Sequence, residues 1–553
     1  MEHEIDSLNT LPHLTNEIVR SAKKTKLCAF SVALEGWRRG LTLKWYTKDS
    51  EHFQDMIVFG VNPPGRLFSL SSDKRTHYFF RTRGDKVTNE AVIIGSDKDK
   101  TKEYLVNNNV PSPIGKMFTL ESSVDEIVDI VEQTKGLKYP LVVKPVDGSL
   151  GMGVVTNIRD KAELIRSIDY VRKDLEFEEI IVEKHITGKE YRVYVVGDKA
   201  VAAYNRVPAN ITGDGEHTIE ELIRLKNNER RKNARLHDCL IEIDREILEL
   251  IQESGHKMSD IPEKGELIYL REKSNISIGG DPIDVLDTVA PEIIEVAIKA
   301  LNSIPGLYHG GVDIIYDEKT GIPPVVIELN PTAQIGGPLF PIKGKPRDIP
   351  KAIIDYYFPE TINNERADGR FYFDFNTVLE PLTDRTGVEV EVNPAPIGKI
   401  HARKFILQGR VKRNSFHHWI KEKALHLGLH GYIEKSVNNK IEVVVAGTSK
   451  EVINQFRQLL DEPPKNTVIK KITSEKFEEP VKIGFEIEEG YNPRSFRSIN
   501  SAIYRMEREL NKGNKRKAQL EKEIRKIEQS TSWKKTRKFR RLSSKLKASL
   551  NTK

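Results

Sequence analysis

Residues 141–153 read LVVKPVDGSLGMG: three apolar residues suited to a buried strand, a lysine, and then a loop with glycines at 148, 151 and 153. Glycines let backbone N–H groups approach phosphate oxygens and adopt dihedrals that a Cβ forbids, so the loop reads as a phosphate cradle to which Lys144 adds a point charge. Alone, the pattern is unspecific, because it lacks the GK[ST] ending of a P-loop and the spacing of a dinucleotide fingerprint. Residues further along decide its meaning. Asp313 ends the segment HGGVD, and Glu328 and Asn330 stand two apart in VVIELN, so on a strand the latter two project from one face. Two carboxylates and an amide carbonyl are hard oxygen ligands suited to magnesium bound together with phosphates. Taken singly, each acid reads more simply as a strand-end cap or a surface charge. The combination of a Lys-Gly loop with a later D and ExN points to a metal-nucleotide site.

The 553 residues, 38% apolar and 31% charged, exceed one core and predict several domains of a soluble protein. No apolar run approaches membrane-spanning length, and the opening MEHEIDSLNTLPHL has acids and no apolar signal core, so a cytoplasmic protein is expected. Cys28 and Cys239 lie far apart without CxxC spacing, which argues against zinc and a disulfide framework. The net charge of +7 is unevenly spread: residues 491–553 hold 20 Lys+Arg and 5 Asp+Glu, a balance of +15, which leaves 7 − 15 = −8 for the rest. A polyanionic partner therefore belongs to the tail.

A small α/β unit is expected over 1–88, with a helix and a strand in KLCAFSVALEGWRRGLTLKW (26–45). The nucleotide-site region spans 89–358: SDKDKTKEYLVNNN contains a helix, IIVEKHITGKEYRVYVV two strands joined by a turn at Thr187-Gly188, 218–253 a polar helical stretch, 291–304 an amphipathic helix, and 309–330 two final strands. A strand-rich connector, 359–399, leads to a unit at 400–488 with the split βαβ rhythm of a ferredoxin-like fold. The tail, 489–553, repeats Ile499, Ile503, Met506, Leu510 and later Leu520, Ile524, Ile527 at helical spacing, broken near Gly513. Trp533 and Phe539 interleave its basic run. A solvated coiled-coil arm is the bland reading. Docking at an anionic membrane surface or self-association ranks above nucleic acid, since no RNA-binding signature appears; a peripheral membrane location and a homo-oligomer are the corresponding expectations.

The stretches SDKDKTK (96–102), VVKPVDGSLGMG (142–153), IVEKHITGKEYRVYVVGDKAVAA (181–203), RVPANITGDGEHTIEELI (206–223), KGELIYLREKSNISIGGDPIDV (264–285), GGVDII (310–315) and VIELNP (326–331) resemble the ATP-grasp superfamily of carboxylate-amine ligases, most closely the ATP-grasp domain of cyanophycin synthetases. The resemblance implies an α/β ATP-grasp fold using ATP and Mg2+, with Mn2+ as the alternative metal. It matches Lys98 and Lys144 to phosphate-binding lysines and Gly148, Ser149, Gly151 and Gly153 to the closing loop. Glu183, Lys184, His185 and Ile186 match the hinge that meets adenine, Glu190 a ribose-binding acid, and Asp313, Glu328 and Asn330 the metal ligands. Arg206 and Arg271 stand where a planar cation holds a substrate carboxylate or the transferring phosphoryl group. The implied reaction phosphorylates a carboxylate with ATP and lets an amine displace phosphate, on amino-acid or peptide substrates. Two departures bear on the substrate. PTAQIGGPLFP (331–341) replaces the usual proline-glycine turn, and the Mur-ligase-like half that accompanies cyanophycin synthesis is absent, so the alternating two-residue polymer is not expected. The rival expectation is a non-enzymatic ATP-binding assembly protein.

Residues 401–487 resemble an acylphosphatase, through GRVKRNSFHHWIKEKALHLGLHGYIEKSVNNKIEVVVAGTSKEVINQF (409–456). That family binds phosphate with a loop ending in Phe/Tyr-Arg and orients water with an asparagine. Here the loop is Lys412-Arg413-Asn414-Ser415, His417 takes the arginine position and Lys435 the asparagine position. A histidine is shorter and mostly neutral at pH 7, so it does not replace a permanently charged fork. A degenerate module that binds, docks or dimerises is expected rather than an editing hydrolase.

Overall fold

The computed structural model describes residues 10–22, 26–146, 153–319, 321–410, 413–435, 440–465 and 467–488. Gly148, Ser149 and Gly151, the Lys412 position and the basic tail lie outside the described residues, as do the side chains of Arg413, Asn414 and Lys435.

Two antiparallel sheets carry the central region. The lysine-bearing sheet orders its strands Gly115–Phe118, Ile180–Lys184, Leu141–Pro145, Val155–Ile158. Alternation splits it into two faces. Leu141, Val143, Ile180, Val182 and Phe118 pack under the helices Val124–Gln133 and Lys161–Asp169, leaving Lys144 and Glu183 on the other face. The first of these helices opens with a reciprocal capping box between Ser123 and Glu126, and Ile127, Val128 and Val131 form its buried stripe.

The carboxylate-bearing sheet runs Asp281–Asp284, Lys199–Val207, Lys189–Val196, His309–Tyr316, Val325–Asn330. Val193, Val195, Ala203, Val312, Ile314, Val326 and Leu329 bury on the helix Pro291–Asn302, which uses proline in its first turn, where no N–H partner is lost. The two strands expected over 180–196 exist, yet they do not pair with each other: Ile180–Lys184 ends one sheet and Lys189–Val196 begins the next. Gly188 makes the crossing. At its φ of +144° a Cβ would stand 2.7 Å from the Tyr316 carbonyl, so only glycine passes this close to the neighbouring strand.

The expected helix and strand near the N-terminus are Lys26–Arg38 and Thr42–Tyr46. Their sheet takes its outermost strand, Glu389–Glu391, from far along the chain, and Phe373 and Phe375 pack on Phe30, Trp37 and Trp45. Residues 359–399 thus build part of the N-terminal unit, with a nine-residue helix Phe375–Thr383 and only short strands.

The region from His401 forms a five-stranded sheet ordered Val468–Lys476, His401–Arg410, Lys440–Gly447, His430–Lys435, Phe485–Glu488, with helices Arg413–His426 and Lys450–Leu459. It has its own core around Phe405, Phe416, Ile420, Val443 and Phe456. Its final strand, parallel to His430–Lys435, is an addition that the sequence reading lacks. Pairing of Phe371–Tyr372 with Val481–Lys482 ties it to the N-terminal unit. Among the described residues, no helix is long and apolar enough to cross a membrane.

Candidate functional site

Sheet register places the two acids. Asp313 lies directly opposite Glu328 on the adjacent antiparallel strand, and Asn330 is opposite Gly311, so all three side chains share the face turned away from the helical core. On its other flank Asp313 faces Arg192, which it binds through both oxygens at 2.5 Å. Arg206 adds a third contact, Nη1 donating to Asp313 at 3.1 Å and pairing with Glu190 at 2.8 Å. Ser274 donates a short hydrogen bond to the remaining Glu190 oxygen.

These neighbours set the protonation. Burial pushes the Asp313 carboxyl up, but Arg192 and then Arg206 outweigh it and hold the group below the usual range. Glu328 goes the other way. Burial raises it and the Asp313 carboxylate raises it further, against weaker pulls from Arg192, Lys98 and Lys144. Lys144, from the other sheet, and Lys98, from the helix Lys98–Asn107, thus lie close enough to act on a carboxylate of this one.

On the lysine-bearing sheet, Lys144 and Glu183 form a buried ion pair at 2.5 Å, diagonal across neighbouring strands. Lys98, from the start of the helix Lys98–Asn107, donates to the carbonyls of Pro145 and Val146 at 3.2 and 3.1 Å, bringing it to the foot of the glycine loop. At Gly153, φ +73°, a Cβ would stand 3.2 Å from Pro145 and from Phe177. Lys184 and His185 form the link between sheets, their N–H groups donating to the carbonyls of Ile114 (2.8 Å) and Pro140 (3.0 Å); Ile186 follows in the same link. His185 Nδ1 is buried without a hydrogen-bond partner, and burial lowers the imidazole's pKa.

Arg271 stands apart. Its guanidinium pairs with Asp244 and Glu246, each at 2.6 Å, and donates to the carbonyls of Ile278 and Glu242, so none of these partners belongs to the cleft. Arg192 is the principal residue missed in the sequence; its position two after Glu190 puts both on one strand face, but only the register sets it against Asp313. Lys102 was also missed. Its Nζ donates to the Gly115 carbonyl at 3.2 Å, and burial lowers its pKa, with Glu183 and Lys144 acting on it in opposite directions.

For a divalent cation the donor set fits. Among the described residues no three His, Cys, Asp or Glu side chains converge, so a cation here would take Asp313, Glu328 and the Asn330 amide and complete its shell with phosphate oxygens and water, the habit of Mg2+. The Asn330 Nδ2 is buried and unpartnered, while the atom a cation would take is the amide oxygen.

Two antiparallel sheets, one bearing Lys144 and the other Asp313 and Glu328, joined to a ferredoxin-like unit, give an ATP-grasp-like architecture. Comparison with known proteins agrees with both parts. Residues 95–217 match the RimK-like ATP-grasp domain family and residues 403–487 the acylphosphatase family. Cyanophycin synthetase of Geminocystis herdmanii is 33% identical over 276 residues, covering 49% of this chain and 31% of that protein. The glutathione biosynthesis bifunctional protein GshAB of Clostridium perfringens is 33% identical over 298 residues, covering 53% and 38%. A bifunctional glutathione synthetase from Pasteurella multocida superposes with a TM-score of 0.43 at 27% identity, over 53% of this chain and 41% of that one. The chain spans about a third of the length of the curated relatives it matches.

Proposed function

We propose that the protein is an ATP- and Mg2+-dependent ligase that activates a carboxylate as an acyl phosphate and joins it to an amine of the amino-acid or peptide type. The observation that carries the reading is the confrontation of Lys98 and Lys144 with Asp313, Glu328 and Asn330 across a hinged cleft. A scaffold that merely bound a nucleotide would not require Glu328 to be kept beside a second acid at an electrostatic cost.

In the first step a substrate carboxylate oxygen attacks the γ-phosphorus and ADP leaves; in the second, the amine nitrogen attacks the acyl carbon, phosphate departs and the nitrogen loses a proton. No protein nucleophile is needed, so catalysis is positioning and charge stabilisation. Asp313, Glu328 and Asn330 would hold the magnesium ion, whose bound contribution is to neutralise charge on the phosphates. Lys144 and Lys98 hold phosphate oxygens, the segment 183–186 lines the adenine end, and Glu190 receives the ribose. Arg206 touches Asp313 and Glu190 through one nitrogen only, so its remaining donors suit the transferring phosphoryl group. Arg271 acts as a positioning residue for the segment that carries Ser274 to Glu190.

The test is ADP release on adding pooled amino acids and short peptides with Mg2+ and ATP, against Glu328→Ala. Release above that variant supports the ligase. A wild-type rate equal to that of the variant with every mixture rejects it.

A further inference from the structure

The carboxylate that would hold a metal ion is already held by two cations of the protein. Arg192, Asp313 and Glu328 stand side by side on three adjacent strands, with Asp313 in the middle. Arg192 grips Asp313 as a fork: Nε donates to Oδ1 and Nη2 to Oδ2, both at 2.5 Å. Arg206 Nη1 adds a bond to Oδ2 at 3.1 Å. A carboxylate offers about four lone-pair directions, and these three bonds leave one of them, on Oδ1. Burial strengthens the grip, since the Asp313 side chain is 6% exposed and that of Arg192 18%.

Packing supports the contact. The stem of Arg192 lies over Gly311, where a Cβ would stand 3.5 Å from its Cδ, so the side chain runs over the middle of the three strands, which also carries Asp313. Gly311 is in turn the residue opposite Asn330. Charge points the same way. The acids Asp313, Glu328, Glu190 and Glu183 are matched by Arg192, Arg206, Lys98 and Lys144, so when all are ionised the formal charges cancel. A dication gains little from a site without net charge, and much more once phosphates add theirs.

We propose that Arg192 is a positioning residue that latches Asp313 in the nucleotide-free protein and keeps it from a divalent cation until the phosphates of a nucleotide arrive. Phosphate oxygens then offer the guanidinium another anion, and loosening of the fork returns the Asp313 oxygens to the cation. Nucleotide and cation would therefore bind with positive coupling, and Arg192 would carry it. The assignment rests on the nucleotide and metal part of the ligase reading, and not on the transfer of the phosphoryl group.

The test is titration of the full chain with Mn2+, read by electron paramagnetic resonance of the free ion, with and without ADP and with ADP alone as control. Without nucleotide, wild type should bind Mn2+ no tighter than Asp313→Asn does, while Arg192→Gln should bind it about tenfold tighter than wild type. ADP should strengthen Mn2+ binding about tenfold in wild type and clearly less in Arg192→Gln. Arg192→Lys, which keeps the charge but loses the fork, should fall between the two and serves should Arg192→Gln fail to fold. The comparison of wild type with Asp313→Asn needs neither variant. Nucleotide-free wild type that binds Mn2+ more tightly than Asp313→Asn, Arg192 variants that bind it no tighter than wild type, or ADP without effect on wild type overturns the proposal. The expected Mn2+ results together with no ADP release by wild type would uphold the latch and remove the ligase.

Discussion

The ATP-grasp-like cleft and the acylphosphatase-like unit differ in the cations they hold. In the cleft, Lys144 with Glu183 and Asp313 with two arginines are kept out of water, each in close geometry with its partner. In the acylphosphatase-like unit, the position of the family's arginine is taken by His417, which is 3% exposed and neighbours the core residues Phe416 and Ile420. A histidine there is shorter than an arginine and lacks its permanently charged, planar fork of donors. Folding needs neither arrangement, because apolar residues of similar volume often replace buried ion pairs without loss of stability. The arginines paired in the cleft and the arginine position taken by histidine in the second unit therefore distinguish the two regions chemically.

The sharpest way to break this contrast is Glu328→Gln. Loss of the second metal carboxylate should lower ADP release about 1,000-fold. The same change should raise the melting temperature of the nucleotide-free protein at neutral pH. The sign follows from the raised pKa: a carboxyl raised by folding favours the native state only while protonated, and that contribution is lost as pH rises through its native value. Calorimetry at pH 7.5 and pH 4 checks it, with a gain at pH 7.5 that shrinks at pH 4. A lower melting temperature at pH 7.5 would mean that Glu328 is a structural acid.

Next in size is Lys144→Ala, which strands a buried Glu183 carboxylate and should cost about 3–5 kcal/mol along with nucleotide binding. Glu183→Gln in the same background should recover most of the stability and none of the binding, as read by denaturant titration and a fluorescent ATP analogue. A smaller effect belongs to Asp313. Its lowered pKa means that its ion pairs stabilise the fold above the ordinary carboxylate range, near pH 4, and that this stabilisation is lost as pH falls through the native value. The melting temperatures of wild type and Asp313→Asn should accordingly converge as pH falls below about 4. The least change is expected in the second unit: the full chain carrying Glu328→Gln should hydrolyse benzoyl phosphate no faster than buffer, and His417→Ala should leave that rate untouched. Turnover abolished by His417→Ala would restore an editing role.

Much of the cleft was legible because its parts are local. Glycines after a strand, and an acid and an amide two residues apart on another, are set by chain chemistry at short range. The helices at 26–38, 98–107 and 291–302 were likewise visible from periodicity and caps. Arg192 was not, because its meaning depends on which strand lies beside it, and Asp313 is 121 residues away. The stretch 359–399 misled as a strand-rich connector for the same reason: the three-residue strand Glu389–Glu391 makes sense only as the edge of a sheet begun at Thr42–Tyr46. Arg271, placed in the site by resemblance, pairs here with Asp244 and Glu246, contacts that only the fold reveals.

The amino-acid sequence by itself determined the two fold classes, the glycine loop with its lysine, and the type of ligand that Asp313, Glu328 and Asn330 offer. Backbone freedom, strand alternation and donor chemistry are properties of neighbouring residues. Only the tertiary structure decided which charges meet: Arg192 and Arg206 on Asp313, and Lys98 and Lys144 against Glu328. Electrostatic interaction depends on distance and burial, and both are set when sheets from distant parts of the chain close on one another.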